Sequence, residues 1–332
     1  MRCCNALAAL LIMLATPTLA DPIVIAHRGA SGYLPEHTLE AKTLAHAMGA
    51  DYIEQDVVLT RDGEPLVLHD IYLQNTTDVE QRFPGRGRDD GNYYALDFTL
   101  AELRQLRAHE RSYRDSDGTE RAHYPQRFPL HQGHFRLATL REEIDLLSGL
   151  DRSRGTTTGL YIELKAPNWH REQGHDLAAA VLRVLEQTGY LQRPGQVFLQ
   201  CFDAATLLEL KAKTTLPLIQ LIGENDWQED GGMDYDAMRT ESGIQRVAAY
   251  ASGIGPWIPH VLDAQLRPTA LTGLAHKYGL LVHPYTLRAD ELPPAANSVD
   301  TLHEALFNAA GVDGLFTDFP DLTRNFLNRG KH

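Results

Sequence analysis

Residues 51 to 70 read Asp51-Tyr52-Ile53-Glu54-Gln55-Asp56-Val57-Val58-Leu59-Thr60-Arg61-Asp62-Gly63-Glu64-Pro65-Leu66-Val67-Leu68-His69-Asp70. The run 52–60 is rich in apolar and β-branched residues and favours a strand, and residues 66–68 favour a returning strand. Between them, Asp62-Gly63 is typical of a two-residue type I′ turn, in which both central residues have a positive φ. The register that follows from this turn places Asp56 opposite His69.

Two carboxylates and an imidazole therefore converge in this hairpin. Alternate side chains of a strand share a face, so Glu54 and Asp56 point the same way. One interpretation is a solvated strand face, with His69 at the hairpin edge. The other is a functional site, because carboxylates in so apolar a strand are costly unless they are paired or bind a cation. The choice depends on the partners that the rest of the chain supplies.

Seven further apolar runs resemble strands, and segments of helical periodicity separate most of them. The strand candidates besides residues 52–58 are 23–26, 159–164, 197–202, 218–222, 251–255, 280–284 and 314–317. Residues 176–188 and 203–213 have helical periodicity, and capping boxes begin at Thr99 and Thr139. Strands that alternate with helices are typical of a parallel sheet.

The strand count predicts an α/β fold of the (β/α)8 TIM-barrel type. If residues 66–69 are only the return arm of a hairpin, eight parallel strands remain, and eight βα units close into such a barrel. A doubly wound open sheet is the alternative. It is disfavoured because no Gly-x-Gly-x-x-Gly motif follows the first strand.

Residues 72–138, called the excursion below, do not fit an ideal barrel unit. They are polar and interrupted by proline and glycine, and only residues 99–108 have a helical pattern. A connection of this length is usually functional or poorly ordered. Because it follows the hairpin, we expect this insertion to lie over the barrel mouth and to restrict what enters. Its residues His131 and His134 are interpreted as solvated side chains.

The first twenty residues have the pattern of a cleaved secretory signal peptide. Arg2 precedes an apolar run at 6–15, and residues 18–20 resemble a small-residue cleavage site. We expect cleavage after Ala20 and a single domain over residues 21–332 in the periplasm. Cys3 and Cys4 leave with the leader, so Cys201 alone remains and an internal disulfide is excluded.

The net charge of the chain limits the classes of molecule that it can bind. The formal net charge is −13, and loss of Arg2 with the leader makes it −14. This excess repels nucleic acid and anionic lipid surfaces. No second long apolar stretch follows the leader, so we expect no membrane span. A small molecule is therefore the expected partner, and the sequence leaves a homodimer open.

Polar side chains gather where the predicted strands end, which is where TIM barrels place their active sites. Together with Phe202, they are His27, Arg28, Glu54, Asp56, Glu163, Lys165, Gln200, His283, Tyr285 and Asp318. Carboxylates at Glu54, Asp56 and Glu163, without a nearby cysteine, suit a hard cation such as Ca²⁺ or Mg²⁺ better than zinc.

The cationic side chains at these strand ends suit a phosphate. Arg28 and Lys165 supply fixed positive charge beside the predicted cation. His27 and His69 supply an acid/base pair that works near neutral pH. A divalent cation, two imidazoles and fixed positive charge are what the displacement at a phosphodiester requires.

These motifs resemble the glycerophosphodiester phosphodiesterases, in particular the exported bacterial branch. The resemblance rests on His27-Arg28-Gly29-Ala30-Ser31, Pro35-Glu36-His37-Thr38, Glu54-x-Asp56, Thr60-Arg61-Asp62-Gly63, His69-Asp70, Glu163-Leu164-Lys165, Gln200-Cys201-Phe202, His283-Pro284-Tyr285-Thr286 and Gly314-Leu315-Phe316-Thr317-Asp318-Phe319-Pro320. It spans nearly the whole chain after the leader. His37 is a departure, because the family commonly has Asn there, and we interpret it as a tolerated change near the first helix.

The resemblance implies a TIM barrel that hydrolyses glycerophosphodiesters, such as glycerophosphocholine and glycerophosphoethanolamine, to sn-glycerol 3-phosphate and an alcohol. It implies that the acidic trio binds the metal, with Ca²⁺ expected and Mg²⁺ the alternative. It also implies that His27 and His69 are the catalytic pair, with Arg28 and Lys165 as phosphate contacts. We assign His27 as base and His69 as acid.

Several alternatives stay open. Phe202 and Trp257 either pack against a glycerol or choline group or belong to the core, and His283 and Tyr285 either touch substrate or only fill the barrel mouth. Gln200 is predicted to bind substrate. A solute-binding protein for glycerophosphodiesters and a different metal-dependent barrel enzyme are the rival functions. Two proton-transfer groups disfavour the first, since binding alone does not need them.

Overall fold

The computed structural model describes residues 21–227, 229 and 231–329. The predicted leader, residues 1–20, lies outside them. Eight parallel strands make the central sheet, and they match the predicted strands to within two residues at each end. They are β1 (Ile23–Ala26), β2 (Tyr52–Leu59), β3 (Gly159–Leu164), β4 (Val197–Cys201), β5 (Leu218–Ile222), β6 (Gly253–Pro256), β7 (Leu281–Val282) and β8 (Gly314–Thr317).

The strands form a nearly closed barrel, which confirms the predicted fold class. Their order is β7-β6-β5-β4-β3-β2-β1-β8, with every neighbouring pair parallel. Backbone hydrogen bonds span the remaining gap between β7 and β8. Asp313 N donates to Val282 O at 3.0 Å, and Leu287 N donates to Phe316 O at 2.8 Å. All strand ends therefore face one rim.

The hairpin that follows β2 has a different register from the predicted one. Its return strand, Pro65–Val67, pairs Val57 with Val67, so Leu68 rather than His69 lies opposite Asp56. The turn spans three residues instead of two, because Thr60 pairs with Glu64 and only Gly63 in it has a positive φ, +78°. This is a type I turn followed by a left-handed glycine, and its extra residue shifts the register by one.

Helices cover the outside of the barrel. The longer ones are Leu39–Ala47, Leu140–Arg154, Leu177–Thr188, Ala204–Lys213, Glu241–Ala248, Leu271–Lys277 and Pro320–Arg329. Short ones are Val79–Arg82, Leu100–Leu103, Pro167–Glu172, Tyr235–Met238, Ile258–Val261 and Val299–His303, which continues as a π-helix over Glu304–Ala309. Two 3₁₀ turns are Ala95–Asp97 and Asn225–Trp227. Both predicted capping boxes, at Thr99 and Thr139, are present.

The excursion has a small core of its own. Apolar side chains from it pack on the hairpin, with Leu73, Phe98 and Leu106 fully buried against Val58 and Leu66. Its predicted helix over 99–108 is only one turn, Leu100–Leu103, and a short hairpin of Ser112–Arg114 and Glu120–Ala122 follows. Beyond that hairpin, Arg127 reaches the rim at the end of β8.

Under the rim, an aromatic layer fills the barrel. Tyr161, Phe198 and Phe316 pack with Ile25 and Ile219, all buried. Because this layer is buried and close-packed, the polar side chains above it rest on a rigid base. Within the part of the chain that the structure describes, no helix is long and apolar enough to cross a membrane.

Candidate active site

A cavity of about 280 Å³ opens at the carboxyl ends of the strands. Of the residues with predicted catalytic, substrate-binding or metal-binding roles, all but Asp56 line it, namely His27, Arg28, Glu54, His69, Glu163, Lys165, Gln200, Phe202, Trp257 and Tyr285. The strand-end candidates His283 and Asp318 do not line it. Thr286 of the His283–Thr286 motif also lines it, as do Trp227, Glu229 and Arg288, which were not singled out from the sequence. The predicted site residues therefore converge on one hollow, although they come from six different barrel strands or the loops that follow them.

The three predicted metal ligands form a compact carboxylate cluster. Parallel pairing of β2 with β3 sets Asp56 beside Glu163, and Glu54 lies two residues before Asp56. One oxygen from each of Glu54, Asp56 and Glu163 lies within 4.8 Å of the other two, and all three side chains are buried. Backbone register thus explains why acidic residues in two separate apolar strands meet.

Raised pKa values at two of the three carboxyl groups show that the surrounding positive charge does not fully balance this cluster. Burial and the neighbouring carboxylates raise the pKa of Glu54 well above its usual value. Burial also raises the pKa of Glu163 to about 8, although Lys165 opposes the shift. Oδ1 of Asp56 is buried and has no hydrogen-bond partner among the described residues. An unsatisfied oxygen among crowded carboxylates fits a hard cation with oxygen ligands.

A buried chain of polar residues holds Asp56 from behind. Nε2 of His37 lies 2.8 Å from Asp56 Oδ2, and the Nζ of Lys42 lies 3.1 Å from His37 Nδ1. Lys42 also pairs with Glu143 at 3.1 Å and donates to the backbone oxygen of Glu54. His37 is therefore more than a tolerated change at the helix start, because it contacts a predicted metal ligand.

His27 is oriented by a carboxylate at the end of β8. Nδ1 of His27 lies 2.6 Å from Asp318 Oδ1. Burial raises the pKa of Asp318, but His27 and the arginines Arg288 and Arg127 lower it below its usual value, so the carboxylate is ionised and His27 Nδ1 donates. Nε2 is then the lone-pair nitrogen that faces the cavity. Burial and Arg28 lower the pKa of His27 to about 4.

His69 has the same arrangement with a different carboxylate. Nδ1 of His69 lies 2.5 Å from Asp70 Oδ1, and Arg111 from the excursion donates to Asp70 Oδ2 at 2.7 Å. Burial, then Arg28 and Lys165, lower the pKa of His69 to about 4. Both histidines thus carry a proton on Nδ1 and are neutral near pH 7 in the free protein.

The two predicted phosphate contacts are anchored by carboxylates. Arg28 donates to Glu36 at 3.0 Å, and its backbone N donates to Glu54 Oε2 at 2.9 Å. Lys165 Nζ donates to Glu163 at 2.7 Å and lies 3.3 Å from His69 Nε2. Burial lowers the pKa of Lys165, but Glu163 raises it further, so the side chain stays charged. Lys165 thus bridges the carboxylate cluster and His69, and Arg28 lies beside the cluster, with its Nε 3.5 Å from Asp56 Oδ2.

The aromatic residues and histidine whose contact with substrate the sequence left open do not all reach the cavity. Phe202, Trp257 and Tyr285 line the cavity, and the Tyr285 hydroxyl is held by the Ile222 carbonyl at 3.0 Å. Gln200 also lines it and donates to Glu54 Oε1 at 3.0 Å. His283, by contrast, is buried below the cavity, where its Nδ1 lies 2.9 Å from the Tyr161 hydroxyl.

A second, polar cavity of about 220 Å³, called the annex below, adjoins the first one. The two share His27, Arg28, His69 and Arg288, and the excursion supplies most of the other annex walls. These excursion residues are Glu110, Arg111, His123, Tyr124 and Arg127. Sequence reasoning missed them, because they lie in an irregular segment without a motif.

Comparison with known proteins gives consistent matches along the chain. The model of the glycerophosphoryl diester phosphodiesterase family matches residues 27–322. The chain is 42% identical over 329 residues to the glycerophosphodiester phosphodiesterase of Haemophilus influenzae, covering 93% of this chain and 90% of that protein. It is 35% identical to the glycerophosphodiester phosphodiesterase of Treponema pallidum, covering 93% of each.

Solved structures share the fold. A Silicibacter pomeroyi protein named as a glycerophosphoryl diester phosphodiesterase superposes with a TM-score of 0.70 at 28% identity, over 94% of this chain and 95% of that one. An Oleispira antarctica phosphodiesterase, solved with its product sn-glycerol-3-phosphate, superposes with a TM-score of 0.62 at 24% identity, over 92% and 97% of the two chains. At 24% identity the second likeness concerns the barrel alone.

Proposed function

Because this chain belongs to the glycerophosphoryl diester phosphodiesterase family and is an enzyme of that kind, we propose that it hydrolyses glycerophosphodiesters of deacylated phospholipids to sn-glycerol 3-phosphate and an alcohol. Glycerophosphocholine and glycerophosphoethanolamine are the proposed substrates. The observation that carries this proposal is a single cavity where two carboxylate-held histidines meet the cationic side chains of Arg28 and Lys165, next to a cluster of three carboxylates. Acid/base groups, fixed positive charge and ligands for a cation each contribute to displacement at a phosphodiester when they surround one phosphorus atom.

The metal is the cofactor part of the proposal. Glu54, Asp56 and Glu163 would hold it, with Ca²⁺ proposed and Mg²⁺ the alternative, because their oxygens are hard ligands. When bound, the cation neutralises charge on the phosphoryl oxygens. Gln200 supports this role, since it fixes Glu54 by a hydrogen bond at 3.0 Å.

The chain's own groups bind the phosphate and move protons. Arg28 and Lys165 hold the phosphoryl oxygens by charge-assisted hydrogen bonds, which orients the ester for attack. The lone pair on Nε2 of His27 removes a proton from the glycerol 2-hydroxyl or from a water. His69 acts as the acid in its doubly protonated form, which the negative charge of a bound phosphate favours, and its Nε2 gives the second proton to the departing alcohol. Its side chain is 29% exposed against 10% for His27, which favours it as the group nearer to solvent.

The two cavities suit the two ends of a diester. The aromatic walls at Phe202, Trp257 and Tyr285 give the main cavity an apolar side for the glycerol carbons. The annex lies beyond the shared histidines and is polar, which suits the head group that leaves. The excursion walls the annex, and this supports its predicted role of restricting what enters.

Histidine variants test the catalytic assignment. We expect His69→Ala and His27→Ala each to lower turnover of glycerophosphocholine by ~10²–10⁴, since this is the usual contribution of an acid/base group. His134→Ala, at an exposed histidine of the excursion, is the control and should keep wild-type turnover. Near-normal turnover of His27→Ala and His69→Ala would show that these two histidines are not the catalytic acid and base.

The products separate the rival functions. Free choline together with glycerol 3-phosphate supports the proposal. Binding of glycerophosphocholine without release of choline would indicate a solute-binding protein. A cyclic phosphate end product, or an isomerised sugar phosphate, would indicate a different metal-dependent barrel enzyme.

We also propose that the protein is exported to the periplasm with cleavage after Ala20, as in the exported branch that it resembles. The support is the pattern of residues 1–20. Sequencing the amino terminus of protein from a periplasmic fraction should give a chain that begins at Asp21, whereas an intact leader on all of the protein would contradict export. A homodimer stays an open prediction, which sedimentation equilibrium tests.

A further inference from the structure

We infer that His109, Glu120 and His131 form a second metal site, for a transition-metal dication of the zinc class, in the excursion. One possible ligand atom from each residue lies within 4.8 Å of the other two. The cluster lines a cavity of about 240 Å³ whose residues are all distinct from those of the active-site cavity. No step of the proposed reaction uses these three residues, so the site is additional to the catalytic one.

His109 is oriented as metal-binding histidines usually are. Its side chain is buried, and its Nδ1 lies 2.7 Å from the backbone oxygen of Glu110. A carbonyl can only accept, so Nδ1 carries the proton and the Nε2 lone pair is left for a metal. A backbone carbonyl behind the imidazole is the usual outer partner of a histidine ligand, because it fixes the tautomer and the ring plane.

Glu120 is held in a corresponding way. Ser112, across the short hairpin, donates its hydroxyl to Oε1 of Glu120 at 2.8 Å. The other oxygen, Oε2, lies 2.9 Å from Nε2 of His131. One carboxylate oxygen is therefore fixed by an outer hydrogen bond, while the second oxygen already faces an imidazole nitrogen.

The distance between His131 Nε2 and Glu120 Oε2 fits two ligands of one metal ion after a small movement. Two ligands bound at about 2.1 Å in tetrahedral positions lie about 3.4 Å apart. His131 and Glu120, at 2.9 Å, need to separate by only a few tenths of an ångström. His131 is half-exposed at the surface, with 44% of its side chain accessible, so this movement meets little resistance. The cavity beside the trio leaves room for a water as fourth ligand.

The ligand types select a different metal from that of the active site. Two imidazoles and one carboxylate suit zinc and its transition-metal neighbours, whereas three carboxylates suit calcium or magnesium. The two sites should therefore be separable by the choice of cation. A site of carboxylates only would not distinguish zinc-like cations from calcium or magnesium in this way.

The position of the trio indicates a structural role. His109 precedes the short hairpin, Glu120 lies on its second strand, and His131 lies in the loop beyond. A metal here would tie three segments of an excursion that contains no cysteine. Arg111, which holds Asp70 beside His69, is only two residues from His109. The metal would thus stabilise the wall of the annex.

Zinc stoichiometry tests the site on the full-length mature protein. Metal is stripped by chelation, excess Ca²⁺ is added to occupy the carboxylate cluster, and Zn²⁺ is titrated against a chromophoric chelator. We expect the wild type to bind one more equivalent of Zn²⁺ than His131→Asn. His134→Asn, which changes an exposed histidine of the same loop, should match the wild type. Equal stoichiometry in all three proteins would overturn the site.

Cobalt spectroscopy and a catalytic-site variant make the result independent of activity. Co²⁺ in the wild type should give the intense visible bands of a four- or five-coordinate nitrogen-containing site, and His131→Asn should lose them. Glu54→Gln/Glu163→Gln, which disables the carboxylate cluster, should keep them. Loss of the bands in that double variant alone would assign them to the catalytic cluster and reject the second site. Weak bands of octahedral cobalt in the wild type would also reject it, even if His131→Asn failed to fold.

Discussion

The guanidinium of Arg127 donates a hydrogen bond to Oδ2 of Asp318 at 2.7 Å. Because Oδ1 of the same carboxylate lies 2.6 Å from His27 Nδ1, a residue of the excursion is two contacts from a proposed catalytic nitrogen. Arg127 also pairs with Asp290 at 2.8 Å, which fixes the guanidinium from its other side. The excursion is therefore connected to the reaction centre as well as covering it.

Arg127 is predicted to act as a positioning residue for His27. We expect Arg127→Gln to lower kcat by about tenfold with a smaller change in KM, since a hydrogen bond to a charged group is worth ~1.5–3 kcal/mol and its loss loosens the carboxylate that orients His27. The loss stays moderate because Arg288 lies 3.2 Å from Asp318 and keeps part of the charge.

The control for this prediction is Arg121→Gln, which removes an exposed arginine of the excursion that pairs only with Asp115 among the described ion pairs. Its kcat should equal that of the wild type. If Arg127→Gln raised KM and left kcat unchanged, Arg127 would serve substrate binding, and the positioning role would be wrong.

The carboxylate cluster predicts that activity depends on a divalent cation. Chelation should abolish hydrolysis, and Ca²⁺ and Mg²⁺, added back separately, should show which one restores it. The same cation should raise the melting temperature, because it neutralises three carboxylates gathered within 4.8 Å.

Two variants locate this effect in the cluster. Glu163→Gln should weaken the cation dependence of both activity and melting temperature, whereas Asp145→Asn, at an exposed carboxylate, should leave both unchanged. Hydrolysis that survives chelation would show that the cluster has a different role.

Glu110 predicts a head-group preference. Its side chain is buried in the annex wall, and its Oε2 has no hydrogen-bond partner among residues 21–227, 229 and 231–329. Burial and the nearby Glu36 raise its pKa to about 7. A cationic head group in the annex would supply the missing partner.

We expect Glu110→Gln to raise KM for glycerophosphocholine by ~10–100-fold while a diester with an uncharged head group is little affected, since a charge-assisted contact is worth ~1.5–3 kcal/mol. Steady-state kinetics with the two substrates measures this difference. An equal change for both would mean that Glu110 does not face the head group.

Sequence reasoning succeeded where regular structure determines position. Glu54, Asp56 and Glu163 were predicted to meet because parallel strand ends share a rim, and the register of β2 with β3 makes them neighbours. The hairpin register failed by one residue because the pair Asp62-Gly63 is compatible with both a two-residue and a three-residue turn.

The arginines of the excursion were not predictable from the sequence. Arg127 and Asp318 are 191 residues apart, and no periodicity relates them. Such contacts depend on how an irregular segment packs, which local propensity does not encode. For His37 a signal did exist, since it departs from the family motif, but only the tertiary structure reveals its contact with Asp56.

His303 predicts a specific loss of stability in acid. It is fully buried, its Nε2 lies 2.9 Å from the Thr323 hydroxyl, and its ring stacks on Phe307. Burial lowers its pKa from 6.5 to about 4. The unfolded chain therefore binds a proton at this histidine between about pH 6.5 and pH 4, whereas the folded protein does not, so stability falls as the pH falls through this window.

The contribution of His303 to this loss is about 2 kcal/mol between about pH 7 and about pH 5, from the two pKa values and ~1.4 kcal/mol per unit. Urea unfolding at both pH values measures it. His303→Gln should be less stable than the wild type at neutral pH, yet should lose about 2 kcal/mol less on acidification.

Phe307→Leu is the matched control, because it removes packing from the same pocket without a titrating group. Its free energy of unfolding should be lower than that of the wild type by the same amount at both pH values. If His303→Gln also showed a constant difference, His303 would be protonated in the folded protein and its environment would be more polar than its burial indicates.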